Sequence, residues 1–286
     1  MTEISALMVM KLRKISGQGM MDCKKALAEA NGDIEQAMEI LRKKGLATLA
    51  RRAERETSEG IVVCAEGDKW ASLATLCCET DFVARSDPFR ELVDAIEDYV
   101  KKCTSDRGPE KILETSVNGK KYSDIITEAV SKTGEKLQVG DYERYVLRGP
   151  GLISTYVHFN GKVGAMVEIE TDSETTATSE ALRRAAADIA MHITATKPLA
   201  LDENGIDATT IEKEKAIFAE QVKNKPANII EKIIEGKMKK FYAENCLLRQ
   251  LFVKDDSKTV TQVLDEAAKR GGGTAKIKRF VRFEVG

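Results

Sequence analysis

Two segments of strand-like apolar alternation stand 91 residues apart, and they constrain this chain more than any other feature. Gly60 opens GIVVCAE and Gly151 opens GLISTYVHF, and Thr80-Asp81 and Thr171-Asp172 keep the same 91-residue spacing. In the first copy, WASLATLCCE follows across Gly67-Asp68; in the second, KVGAMVEIE follows across Asn160-Gly161, a dipeptide suited to tight hairpins. A helical period comes next in each. It runs from Asp87-Pro88 through Phe89, Leu92, Val93, Ile96 and Val100 to Cys103, and from Ser179 to about Thr194, where Leu182, Arg183 and Ile189 echo Phe89, Arg90 and Ile96. A further helix is expected over about Ser123–Lys132 and a strand over about Lys136–Leu147. Arg144-Tyr145-Val146 and Arg279-Phe280-Val281 read as matching closing strands. The expectation is an α+β fold of two β-β-α…β subdomains, residues 60–149 and 150–286, each an antiparallel sheet covered by helices.

Ahead of the first copy, residues 1–45 carry three short helical stripes. Ile4, Leu7, Met8 and Leu12 share one face; Met21, Cys23, Ala26 and Leu27 another; Ile34, Ala37, Met38 and Leu41 a third. Asn31-Gly32 stops the second helix, and Asp33 with Gln36 three residues on suggests a capped start to the third. Residues 46–59 read as a charged linker. The second copy carries an insertion at about 205–244: Ile211, Ile217, Phe218 and Val222 face one way, Ile230, Ile233, Ile234, Met238 and Phe241 face back, across Lys225-Pro226. That pattern predicts a projecting helical hairpin.

Charge limits the function classes. The 45 basic and 46 acidic residues leave a formal net charge of -1, which argues against dominant nucleic-acid binding. No apolar run reaches membrane-span length, and Met1-Thr2-Glu3-Ile4 leads directly into an amphipathic pattern, unlike a signal peptide. Six cysteines without a CxxC pair read as buried free thiols, so the expected location is cytoplasmic. Catalytic signatures are scarce. There are two histidines, His158 and His192, and no HExxH or GxSxG; Gly-Lys pairs are never followed by Ser or Thr, so no phosphate loop exists. No catalytic residue, metal ligand or cofactor is expected. Thr80-Asp81-Phe82-Val83 is the unusual stretch. An aligned Thr171-Asp172-Ser173 in the second copy suggests that the fold needs the acid in the turn and does not need the Phe.

Met20-Met21-Asp22-Cys23-Lys24-Lys25-Ala26-Leu27, then Ala30-Asn31-Gly32-Asp33, resembles the N-terminal signature of elongation factor Ts, and Thr80-Asp81-Phe82-Val83-Ala84 resembles its second motif. Met191-His192-Ile193, Lys237-Met238-Lys239-Lys240-Phe241 and Arg282-Phe283-Glu284-Val285-Gly286 extend the likeness over the whole chain. The resemblance implies a non-enzymatic guanine nucleotide exchange factor whose partner is the GTPase elongation factor Tu. The first helices would be a bundle similar to a ubiquitin-associated domain, docking through Arg13, Met20, Met21 and Lys24, with one of the two methionines expected in the core. Asp81 and Phe82, flanked by Thr80 and Val83, would reach toward the partner's magnesium site. Thr133, Gly134, His158, Phe252 and Val253 would make further contacts. The family often has Ile where Thr133 stands, and many members continue with another helix beyond Gly286, whose contact is then not expected here. A homodimer through the core or the helical hairpin is left open. The rival readings are an RNA-binding adaptor using Lys24, Lys25 and Lys237–Lys240, and a small-molecule enzyme using Asp81, His158 and His192.

Overall fold

The structure, a computed structural model, describes residues 4–223 and 226–286. Met1-Thr2-Glu3 and Lys225, the expected hairpin turn, lie outside the described residues. Three helices come first: α1 Ala6–Ser16, α2 Met20–Glu29 and α3 Ile34–Arg51. The Ser5 side chain accepts a bond from the Met8 N–H to start α1, and Gly17, at φ 66°, ends it in the left-handed conformation that glycine adopts without a Cβ penalty. Asp33 starts α3 by accepting from the N–H groups of Glu35 and Gln36. Val9, Leu12, Cys23, Ala26, Leu27, Ala37 and Leu41 fill the space between the helices. The expected boundary at residue 45 falls inside α3, because the helix continues for a further turn and a half onto a packing partner described below.

The chain then divides into two compact units: Met1–Gly67 with Ser72–Arg144 and Phe283–Gly286, and Asp68–Ala71 with Tyr145–Arg282. In the first, β1 Glu59–Gly67 and β2 Trp70–Cys78 form the hairpin; the short α4 Asp81–Ala84 and long α5 Asp87–Lys102 follow. Next come α6 Pro109–Glu114, a two-residue pair β3 Ser116–Val117 and β4 Lys120–Lys121, α7 Tyr122–Thr133 and β5 Leu137–Val146. The sheet order is β1-β2-β5. Central β2 is buried over all but its first residue, and α5 buries Phe89, Leu92, Ile96, Tyr99 and Val100. Fully removing a side chain of that size from water contributes about 1.5–3 kcal/mol. The α6 helix and the β3–β4 pair are additions to the expected layout. Asn118 and Gly119 turn that pair with positive φ of 51° and 80°, as a tight hairpin turn requires.

Helix α3 lies along α7, and the close approach depends on Gly45: a Cβ there would sit 2.5 Å from the Thr127 carbonyl oxygen. Buried Gln18 donates to the Glu128 carbonyl at 3.4 Å and accepts from the Ser131 hydroxyl at 3.3 Å, and that hydroxyl also reaches the Leu41 carbonyl. The bundle's attachment is therefore polar and glycine-dependent as well as apolar.

The second unit repeats the plan. Strands β6 Gly151–Val157 and β7 Val163–Thr171 pair antiparallel from Gly151↔Glu170 to Val157↔Gly164. They are followed by α8 Glu174–Thr178, α9 Glu180–Thr196, the hairpin helices α10 Ala208–Val222 and α11 Ala227–Asn245, the pair β8 Leu251–Phe252 and β9 Asp255–Thr259, α12 Val260–Arg270 and β10 Ala275–Glu284. The order is β10-β7-β6, so the second strand of each hairpin is central in both sheets. Ala165, Val167 and Ile169 of β7 pack with Leu182, Ile189 and Ile193 of α9 and Leu264 of α12. On the opposite face of β7, Glu168 is 1% exposed and is held by Lys278 at 3.1 Å and Arg279 at 2.6 Å. In the inserted hairpin, Val222 and Met238 are buried and Ile211, Phe241 and Tyr242 pack at its base, but Ile217 is exposed. Ile217 was expected on the packing face; it lies one position before Phe218 and so points outward on α10.

The spacing of the repeat also needs correcting. A Cβ on Gly60 would collide with the Leu76 carbonyl, and one on Gly151 with the Ile169 carbonyl. The offset is therefore 91 on entering the hairpin and 93 on leaving it, because the second hairpin is two residues longer between these contacts. Thr80 matches Ser173, not Thr171, and Phe82 matches Thr175, not Ser173.

Candidate functional site

The turn after β2 is held by its own hydroxyls. Thr80 accepts from the Val83 N–H at 3.3 Å, capping α4, and Ser86 donates to the Val83 carbonyl at 2.7 Å. Glu135 grips the same residue twice: the Thr80 N–H donates to one carboxylate oxygen at 3.1 Å and the Thr80 hydroxyl to the other at 2.9 Å. Asp81 pairs with Arg85 at 3.3 Å on the surface. Val83 and Ala84 are half-buried, whereas Phe82 is 83% exposed. The result is an aromatic ring presented to solvent from a turn with little freedom.

Glu135 also links two sets of expected residues. It follows Gly134, which ends α7 at φ 73° with its N–H on the Val130 carbonyl. The Thr133 hydroxyl donates to the Ala129 carbonyl and accepts from the Glu135 N–H at 3.3 Å. Thr80–Val83 and Thr133–Gly134, distant in sequence, therefore share one anchor. A second anchor is Glu79, which accepts from Arg52 at 2.7 Å and from the Lys136 N–H at 2.7 Å. Burial pushes its carboxyl up, but the Lys136 N–H and the Arg52 guanidinium outweigh burial and hold it below the ordinary value. Neither Glu79 nor Glu135 is marked by any sequence motif; only the fold brings them to the site.

In the bundle, Arg13 and Lys24 are exposed, as are Met20 at 49% and Met21 at 64%. Neither methionine enters the core, contrary to the expectation for one of them. Both lie in the first turn of α2, and Cys23, Ala26 and Leu27 supply its buried stripe.

The second unit holds the remaining residues. His158, just past the end of β6, is half-buried; its Nδ1 lies 3.2 Å from the Tyr156 hydroxyl, and its ring centroid lies 4.4 Å from that of Phe159 at a 52° tilt, Phe159 being 92% exposed. Phe252 is 5% exposed and belongs to the core, so at this position the surface side chain is Val253. The Val253 N–H donates to His192 Nδ1 at 3.2 Å, which leaves the proton on Nε2 to be donated to Gln250 at 3.0 Å. Burial lowers the His192 pKa, against the opposing effect of Gln250. His192 is thus a neutral structural group.

Five of the six cysteines are buried thiols; Cys64, expected with them, is exposed because it sits on an outward position of β1. Among the described residues no group of three or more His, Cys, Asp or Glu is arranged to hold a metal ion, and no helix is long and apolar enough to cross a membrane.

The family model for "Elongation factor TS" matches residues 79–286. The chain belongs to the elongation factor Ts family. An elongation factor Ts from a Nitratiruptor species is 45% identical over 287 residues, covering 99% of this chain and 93% of that protein. Those from Clostridium kluyveri and Clostridium botulinum are 42% and 39% identical, with the same two coverages. The elongation factor Ts match opens at Glu79, the anchor beside Thr80, and takes in the candidate residues from Thr80 to Val253. The bundle lies outside the family model and inside the full-length relatives.

Proposed function

We propose that this chain is the guanine nucleotide exchange factor of elongation factor Tu, acting in the cytoplasm and without a chemical step of its own. The observation that carries the reading is Phe82, an 83% exposed aromatic side chain on a doubly anchored turn. An exposed ring held this way loses little freedom on binding and can act as a wedge. GDP and Mg²⁺ hold a GTPase's loops together. A protein that binds better to the loosened loops shifts the partner toward that state, and by reciprocity it weakens nucleotide binding by the factor by which nucleotide weakens its own.

In this reading Asp81 and Phe82 enter beside the partner's magnesium site, with Thr80 and Val83 fixing their direction. Arg13, Met20, Met21 and Lys24 dock the bundle. Thr133, Gly134, His158 and Val253 extend the contact, while Phe252 supports Val253 from the core. Residues 1–45 act as the docking module and the two α+β subdomains as the frame. The decisive measurement is titration calorimetry with nucleotide-free elongation factor Tu. A stoichiometric complex is expected, weakened by GDP with Mg²⁺. No complex, or an affinity indifferent to GDP and Mg²⁺, would sink the proposal.

A further inference from the structure

A second feature of the first unit adjoins the proposed partner contact at Thr133 and Gly134, but its charge is not explained by that reading. Beside the α3–α7 contact lies an open cleft of about 460 Å³, within the usual range for small-ligand sites of about 300–1,000 Å³. Lys44, Arg51, Arg52, Arg55 and Lys132 line it, against one lining carboxylate, Asp22. Three of these cations have acidic partners: Lys44 pairs with Asp22, Arg52 with Glu79 and Lys132 with Glu91. Arg51 and Arg55 are exposed, and among the described residues neither pairs with a carboxylate; Arg51 donates only to the Thr48 hydroxyl.

On a chain whose charges nearly cancel, signs normally intersperse. Here five cationic groups converge on one concavity, and two guanidinium groups are in no ion pair among the described residues, although the Arg55 charge acts at longer range on Glu79. A cleft of one sign focuses its field and concentrates counter-ions. The guanidinium's planar fork matches phosphate oxygens two at a time. No aromatic residue lines the cleft, so there is no platform for stacking a base, which disfavours both base recognition and single-stranded RNA.

We propose that this cleft binds the phosphates of a small oligophosphate anion, with Arg51 and Arg55 as the principal ligands. The free nucleotide's diphosphate and inorganic pyrophosphate share this chemistry. Calorimetry on the full chain, with inorganic pyrophosphate and GDP as separate ligands, tests it. Both should occupy one saturable site with similar affinity, weakening between about 50 and 200 mM salt. Arg51→Gln with Arg55→Gln should weaken pyrophosphate about tenfold or more. Arg55→Gln alone, beyond the end of α3, should weaken it in the same direction without moving the thermal melt. A control pair on α11, Lys239→Gln with Lys240→Gln, should bind as the parent does. The proposal is overturned if pyrophosphate gives no saturable binding, if the control pair loses as much as the arginine pair, or if GDP binds without pyrophosphate competing. It is equally overturned if an acidic peptide or an RNA oligonucleotide occupies the cleft and pyrophosphate does not displace it.

Discussion

Phe82 separates two outcomes that are usually entangled. Its ring is 83% exposed, so Phe82→Ala should leave the melting temperature nearly unchanged, where truncating a core Phe would cost about 3–5 kcal/mol. The same variant should slow GDP release from elongation factor Tu. Thermal melts and stopped-flow release on one sample decide it; normal release with a large loss of stability would place the wedge elsewhere. Thr80→Ala should do both kinds of harm, costing about 0.5–2 kcal/mol for the lost cap and freeing the turn from Glu135. His192 yields a pH prediction. Its folded pKa lies below the ordinary 6.5, so under that pH the unfolded chain takes up a proton that the folded chain refuses. Its stability contribution is complete above about pH 6.5 and is lost as pH falls from there toward the folded value. Melts between pH 7 and pH 5.5 should drop, and His192→Asn, whose side-chain oxygen can still accept from Val253, should flatten that slope. Single residues were the hardest level to read in advance. Met20 and Met21 looked partly like core because hydrophobicity alone does not reveal which side of a first helical turn faces the bundle.

Elements with a long period were legible, and short ones were not. Alternation marked both hairpins, and apolar stripes marked α5 and α9, because each buries one continuous face. Helix α6 and the β3–β4 pair are too short for any period, although Asn118-Gly119 carried a turn signal. The anchors Glu79 and Glu135 were invisible because their partners lie 27 to 57 positions away. At this scale Gly45→Leu is the informative change. It would drive a side chain against the Thr127 carbonyl and Ser131, prising α3 from α7 without entering the bundle core. Hydrogen exchange should rise in α7 while residues around Leu12 and Leu27 stay protected; unchanged protection in α7 would mean that the helices are not held by this contact. Gly134→Ala tests backbone alone. Nothing lies within 4 Å of its would-be Cβ, so the cost should be the left-handed conformation's, about 1–2 kcal/mol.

For the whole molecule, the α+β class and the repeated plan could be read from sequence, but the true offset could not. Identities fix where strands match, whereas a hairpin two residues longer leaves no mark until carbonyls are seen to oppose Gly60 and Gly151. A chain beginning at Glu56 should exchange nucleotide poorly, and it should also melt lower than the full chain. Removing the bundle strips the covering from α7 as well as the helices proposed to dock. Full-rate exchange by that truncated chain would remove the bundle from the mechanism.

The corrected offset has a consequence for ancestry. Both hairpins end in a hydroxyl residue that caps a short helix, Thr80 over α4 and Ser173 over α8. Duplication would leave two mounts of the same make, of which one carries an exposed aromatic ring and the other is blank. On the blank mount, Glu174 and Thr175 stand where Asp81 and Phe82 do, both exposed, with Thr176 and Ala177 buried beneath them. An ancestor with both mounts alike could alter one at no cost to folding, because the cap and the buried pair carry the structure. The blank mount is therefore a spare that selection or an engineer can refit by changing two surface side chains.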